Sequence, residues 1–308
     1  MTHKYIDSLI KKLHMFNMNK NLSLSPLLLL FVACLSLPHL SSGQVDYSFQ
    51  QGFAPTSGGD AYTGTSDTYL TGTTLKNVNY GGQSNAFVGM HTNGQLARSL
   101  IRFSDLDSVL TSGDAANISS VTLTLRIGSP AAQTQDVEVL VYAVDASNAA
   151  WIQGSGMGGA IEVGAAAWKS LATGTDGNDS APNRVQWDGG EGLGNPGDGY
   201  GSTFIDSFTV LDGTDSYYNI SLPVTLVQSW ITDPSSNAGL LLRVGDEETL
   251  GNVVIFSTSE APTAVFRPEL TITVVPEVSG MSFSMGLAVL LVMSLWKIRK
   301  KVSTRACN

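Results

Sequence analysis

Polar and apolar residues alternate in Ser120–Ile127, and this alternation constrains the fold more than any other feature of the chain. Val121, Leu123, Leu125 and Ile127 point to one side, and the residues between them are polar. A period of two is typical of a half-buried strand. Related patterns rich in Thr, Val and aromatic residues predict eight more strands. They lie at Asn85–Met90, Arg98–Phe103, Asp136–Val144, Thr203–Val210, Tyr217–Leu222, Gly239–Val244, Asn252–Ser257 and Glu269–Val275.

One helix is predicted at Pro223–Thr232, where apolar residues including Trp230 and Ile231 recur with helical spacing. Ser221 is the expected cap and Pro234 ends the pattern. About nine strands and one short helix predict an all-β fold, a jelly-roll-type two-sheet β-sandwich.

The stretch at about 151–215 differs from the rest because it holds 15 glycines, and eight acidic residues fall between Asp176 and Asp215. It has no strand period, so we expect a long loop region over one end or face of the sandwich. Such loops often carry binding sites, but they can equally be tolerated surface.

The N-terminal residues 1–43 have the layout of a secretory signal peptide. Four lysines precede the apolar run Leu27–Leu37, and the small residues Ser41, Ser42 and Gly43 follow it. We therefore expect an exported body over 44–275. A lipid-anchored N-terminus at Cys34 is the alternative.

The C-terminal residues 276–308 contain a Pro-Glu pair, an apolar stretch and a basic cluster. These are Pro276 and Glu277, 281–296, and Arg299, Lys300 and Lys301. The order resembles the PEP-CTERM sorting signal of Gram-negative bacteria that make extracellular polysaccharide. This resemblance implies an exosortase-like processing enzyme and the inner membrane as partners, and a final place in the cell envelope, at the cell surface or in the matrix. An ordinary single-span anchor is the alternative; 16 helical residues reach about 24 Å of a roughly 30 Å hydrocarbon core.

The charge and composition of the body exclude several classes of function. Residues 44–275 carry 24 acidic and eight basic residues, a net charge of −16, which argues against nucleic-acid binding. Both cysteines and three of the four histidines lie outside this range, so thiol chemistry, disulfides and multi-histidine metal sites are excluded. His91 is the single histidine left for catalysis. We expect no cofactor, with a structural Ca²⁺ as the one open possibility.

Three groups of short motifs occur in order along the body. They are Ser66–Leu70 with Asn77–Gly81, then Arg98–Phe103, then Val227–Trp230 with Gly239–Leu242, Phe256–Glu260 and Arg267–Thr271. The ordered set, over about residues 60–275, resembles the DNRLRE-domain proteins, which are similar to an alginate-binding family of carbohydrate-binding modules. The resemblance implies a β-jelly roll that is usually accessory and non-catalytic.

Six residues are candidates for binding a polysaccharide. Trp151, Trp168 and Trp187 stand among glycines, and exposed aromatic rings can stack on sugar faces. The alternative is that each ring pins a long loop to the sandwich.

The other three candidates are the cations Arg98, Arg102 and Lys76, which could bind the carboxylates of a uronic-acid polymer. Alternatively, the arginines pair internally with residues such as Asp105 or Glu260.

Two further sites follow from residue type alone. Asp176, Asn178 and Asp179 resemble the start of a calcium-binding loop, with plain acidic solvation of the surface as the alternative. Beside a tyrosine such as Tyr62, Tyr69 or Tyr80, His91 could act as the base of a polysaccharide lyase.

The sequence thus supports three hypotheses. The first is an exported, non-catalytic carbohydrate-binding-like module that associates with extracellular polysaccharide and presents its tryptophans as a platform. The second is a purely structural surface or matrix protein, in which the same rings are buried under their loops. The third is a polysaccharide-degrading enzyme that uses His91.

Overall fold

A computed structural model of the chain describes residues 43–276 apart from 57, 73–74, 129–134, 160, 175–183, 189, 195–203 and 212–214. The strands are β1 (Val45–Gln50), β2 (Thr65–Thr71), β3 (Asn85–Met90), β4 (Leu96–Phe103), β5 (Ile118–Gly128), β6 (Val137–Ala143), β7 (Phe204–Val210), β8 (Ser216–Ser221), β9 (Leu240–Val244), β10 (Val253–Ser257) and β11 (Glu269–Val274). The α-helices of this part are α1 (Ser112–Ala116) and α2 (Val224–Thr232).

All eleven strands pair antiparallel in one hydrogen-bonded network. The order is β1-β11-β5-β10-β3-β4-β9-β6-β7, with β2 on β4 and β8 on β5. Strand β5 has eleven residues, enough to pair with β11 along its first half, β8 along its second half and β10 at its end. Strand β4 in the same way pairs with β2, β3 and β9. These two long strands are the branch points of the network.

The main core lies between the strands around β4 and those around β5. Leu123 and Leu125 of β5 share one buried cluster with Ile101 and Phe103 of β4 and with Leu242 of β9. Both halves of the network therefore enclose the same apolar interior, which is the sandwich arrangement of a jelly-roll-type fold. The all-β prediction is confirmed, and each of the nine predicted strands is present.

The alternation of β5 appears directly in its burial. Val121, Leu123, Leu125 and Ile127 are buried, and the residues between them are exposed or half-buried. Helix α2 buries Trp230 and Ile231 as expected. The expected cap is wrong, because Pro223 precedes the helix at the N-cap position and no side chain caps it.

A second apolar cluster lies on the opposite side of β4 from the main core. Leu100 of β4, Leu70 of β2 and Leu241 of β9 belong to it, together with Trp151 and Trp168. We call residues 151–194 the covering segment, of which 160, 175–183 and 189 are not described. This segment packs on the sandwich and forms the outer half of the second cluster.

In the part of the chain that the structure describes, no helix has the length and apolarity to cross a membrane. The predicted membrane stretch at 281–296 lies outside the described residues, as does the predicted signal peptide at 1–43 apart from Gly43.

Candidate functional site

The three candidate tryptophans are buried in the second cluster. Trp151, Trp168 and Trp187 are 1%, 7% and 3% exposed. The Trp151 indole N–H donates to the Ala238 carbonyl at 2.9 Å, and the Trp187 indole N–H donates to the Ala167 carbonyl at 2.8 Å. Buried indoles usually find such partners. The rings do not form the exposed stacking platform that the first hypothesis expects, because the covering segment and the sandwich enclose them.

Arg98 joins β4 to the far end of the covering segment. Its Nε and Nη2 atoms each lie 2.8 Å from a carboxylate oxygen of Glu247, and Nη1 donates to the carbonyls of Gly192 and Gly194 at 2.7 Å. The guanidinium carbon is 5.2 Å from the centre of the Trp168 ring. Arg98 is 5% exposed, so these contacts enclose its guanidinium group and keep it from solvent.

Gly192 shows how closely the covering segment approaches this arginine. Its φ of +62° is in the left-handed region that favours glycine. A Cβ at this position would lie 2.5 Å from the Trp168 ring. The close approach places the Gly192 carbonyl in reach of Arg98.

Arg102 binds the near end of the same segment. Nη1 donates to the Ala149 carbonyl at 2.5 Å, and Nη2 donates to the Trp151 carbonyl at 3.1 Å. The guanidinium carbon stands 4.5 Å from the centre of the Trp151 ring, a cation–π contact. Burial lowers the pKa of Arg102 from its usual value, which the nearby Tyr62 and Asp105 partly offset.

Both arginines therefore bind groups inside the protein, as the alternative expects, but their partners are not the suggested Asp105 and Glu260. Arg98 pairs with Glu247, which also accepts from Arg243 Nη2 at 3.1 Å. Lys76 pairs with Glu191 of the covering segment at 2.9 Å, in a more exposed position. All six candidate binding residues thus contact, or belong to, the covering segment, and none of them forms an open binding face.

His91 lies just after β3, half-buried, in a turn where its backbone N–H donates to the Gln95 carbonyl at 2.9 Å. Its ring centre is 4.9 Å from that of Phe87, and Phe87 in turn contacts Tyr69 at 5.2 Å. Tyr69 stacks on Tyr80 at 4.2 Å, and both are buried. Burial raises the pKa of Tyr69 above its ordinary value, so its phenol stays protonated at neutral pH.

The third tyrosine, Tyr62, is separate from this aromatic group. Its hydroxyl donates to the Ser104 carbonyl at 2.7 Å, and burial raises its pKa. It borders a cleft of about 680 Å³, whose lining includes Asp60 and Asp105. Asp105 has a φ of +57°, an uncommon backbone conformation for a residue other than glycine.

The possible calcium residues Asp176, Asn178 and Asp179 lie outside the described residues, as do Glu277, Arg299, Lys300 and Lys301 of the sorting signal. Pro276 is the last described residue and lies beyond β11. Within the described residues there is no group of three or more His, Cys, Asp or Glu side chains that could hold a metal ion.

Asn79 lies at the centre of a buried polar network, a role that the sequence analysis did not predict. The Asn79 side-chain amide donates to the carbonyls of Gln153 at 2.6 Å and Ala166 at 3.0 Å, and its oxygen accepts from the N–H groups of Gly81 and Gly156. Asn79 is fully buried. The four bonds use both N–H donors and both acceptor sites of its side chain. Asn79 belongs to the Asn77–Gly81 motif of the sequence, and in the structure its side chain holds the covering segment in place.

No protein-family model matches this chain, and a search of curated proteins also finds no match.

Proposed function

We propose that this protein is an exported, non-catalytic structural protein of the cell surface or extracellular matrix. The observation that carries the proposal is the use made of Trp151, Trp168, Trp187, Arg98 and Arg102. These are the side chains best suited to bind a glycan, and their contacts hold the covering segment to the sandwich. The tryptophans and Arg98 are buried, and Arg102 is half-buried.

The energetics favour a structural role for these residues. A buried tryptophan removes a large apolar area from water, and truncation of such a side chain typically costs about 3–5 kcal/mol. A glycan could reach the rings only if the covering segment were displaced, which would also break the bonds from Arg98 to the Gly192 and Gly194 carbonyls. This cost makes the second cluster a part of the fold and argues against a ligand platform there.

Export is supported by the order of charge, apolar run and small residues in 1–43, and sorting by the PEP-CTERM-like arrangement in 276–308. An exosortase-like enzyme and the inner membrane are the partners that this part of the proposal requires. The net charge of −16 over 44–275 suits a soluble exported domain that does not bind nucleic acid.

A carbohydrate-binding-like module remains the second candidate, at a different place from the tryptophans. The cleft beside Tyr62 has a volume of about 680 Å³, within the range of small-ligand sites. Asp60 and Asp105 are exposed there, and carboxylates are good acceptors for sugar hydroxyls. The two acidic side chains would repel an anionic polysaccharide, so this cleft suits a neutral glycan.

A glycan array with the purified chain separates the two candidates. It is probed at low and high salt, with calcium and with chelator. The structural proposal predicts no selective binding in any of the four conditions. Selective binding that is lost in Asp105→Asn but kept in Asp107→Asn, an exposed neighbour that does not line the cleft, would replace it with the binding module.

The non-catalytic part of the proposal has its own test. Polysaccharides that the array includes are incubated with the protein, and release of reducing or unsaturated ends is measured. We expect no turnover. Turnover that disappears in His91→Ala would instead make the protein an enzyme.

A further inference from the structure

Asp67 is a fully buried carboxylic acid in the middle of β2. The N–H of Ser259 donates to its Oδ2 atom at 2.6 Å. Its Oδ1 atom is also buried and has no hydrogen-bond partner among the described residues. An ionised carboxylate in a dry interior normally needs a cation or several donors, because losing its hydration is costly. This site is therefore built for the neutral acid.

The charges around Asp67 also favour the neutral form. Glu260 follows Ser259 in the same turn, and its negative charge disfavours a second one at Asp67. The residue opposite Asp67 on β4 is Ile101, and the contact from the covering segment comes from the uncharged Gln153. Glu260 is thus the charged side chain that acts on Asp67 from the described elements packed against it.

Asp67 connects three parts of the molecule. Its carboxyl holds the turn 258–261, and its backbone N–H donates to Gln153 Oε1 at 3.0 Å. The Gln153 side-chain amide then donates to the Gly81 carbonyl at 2.6 Å and to Glu260 Oε1 at 3.2 Å. A change at Asp67 is therefore passed to the start of the covering segment.

We propose that Asp67 is a pH-sensitive latch: as a neutral acid it holds the turn 258–261 and the start of the covering segment against β2, and its ionisation favours their opening. The inference is independent of the proposed function, because it concerns how firmly the segment is held and not what the protein binds.

The direction of the pH effect follows from linkage. Burial raises the pKa of Asp67 to about 7; the backbone N–H and the side chain of Ser259 lower it, and the charge of Glu260 raises it. The folded state then binds this proton more tightly than the opened state, where the pKa is about 3.9. The stabilisation is fully present below the opened-state value and is lost as the pH rises through about 7. We expect the opening constant to increase about tenfold from pH 6 to pH 8.

His91 cannot produce the same trend. Burial lowers the pKa of His91, so the opened state binds its proton more tightly and stability increases as the pH rises. The two groups act with opposite signs.

The test is hydrogen exchange of the Ser259 amide in the purified chain at pH 6, 7 and 8, corrected for the intrinsic pH dependence of exchange. The wild type should lose about tenfold in protection over this range. Asp67→Asn, which keeps the shape and removes the charge, should show no such loss. The exposed control Asp46→Asn should behave as the wild type does.

A second variant protects the test if Asp67→Asn fails to fold. Glu260→Gln removes a charge that raises the pKa of Asp67, so the loss of protection should begin at a lower pH than in the wild type. The quantity to compare is the pH midpoint of the loss of Ser259 protection. A midpoint lowered by Glu260→Gln supports the latch, since removing the charge makes Asp67 easier to ionise. A wild-type protection that does not change with pH, or an unchanged midpoint in Glu260→Gln, would overturn it.

Discussion

The main core and the second cluster use different means to hold the same sheet together. The main core consists of alternate strand residues such as Leu123 and Ile101, contributed by strands with a regular period. The second cluster joins three tryptophans to the outer face of β4 and β9, and two arginines bind the backbone of the covering segment. Strand periodicity is enough to build the first, whereas the second depends on a few specific anchors.

The largest expected effect is that of removing an anchor. Arg98→Met should lower the free energy of unfolding by about 3–5 kcal/mol, because it leaves the half-buried carboxylate of Glu247 with one fewer partner and the carbonyls of Gly192 and Gly194 without the Arg98 donor. Denaturant unfolding measures the loss. Arg126→Met is the matched control, since its pair with Asp215 is more exposed and should be worth about 1 kcal/mol or less. Equal losses in the two variants would contradict the anchoring role.

A pair of leucine truncations sharpens the comparison between the two regions. Leu125→Ala in the main core and Leu241→Ala in the second cluster should each cost about 2–5 kcal/mol, because both residues are fully buried. Limited proteolysis then distinguishes them. We expect early cleavage within 151–194 for Leu241→Ala, and cleavage throughout the chain for Leu125→Ala. The same cleavage pattern for both would mean that the two clusters unfold as one.

The smallest effect is expected at the exposed ion pair. Lys76→Ala removes the contact with Glu191 and should change the free energy of unfolding by about 1 kcal/mol or less, since exposed pairs contribute little. Thermal unfolding checks this value. A loss as large as that of Arg98→Met would show that this exposed pair holds the covering segment as firmly as Arg98 does.

Removing the charge of Glu260 should shift the pH range over which the turn 258–261 opens. In Glu260→Gln the loss of protection at Ser259 should begin at a lower pH than in the wild type, because the charge of Glu260 raises the pKa of Asp67 and its removal lowers that pKa.

The sequence predicted the parts of the fold that repeat with a regular period. It missed β2, because Thr65–Thr71 is mostly polar and yet lies buried between β4 and the covering segment, where tertiary packing overrides hydropathy. It missed β1 as well, since Val45–Gln50 is half-exposed and pairs with one strand, β11.

The candidate site was only partly predictable for a related reason. The shared face of Arg98 and Arg102 follows from strand geometry, and the structure places both on the covered side of β4. Their partners do not follow, because Glu247 is 149 residues from Arg98 along the chain. Whether Trp151 is exposed or buried also depends on that packing, since the glycine-rich segment around it has no period to indicate an inner face.

Hydrogen exchange of the covering segment tests the central claim most directly. The amides of Ala166, Thr173 and Gly192 donate to backbone carbonyls in this segment. If the segment is a fastened part of the fold, these amides should exchange at least about a hundredfold more slowly than in an unfolded chain, and Arg98→Met should reduce that protection before it affects β5. Exchange near the unfolded rate in the wild type would contradict the account, because the tryptophans would then be free to reach a ligand.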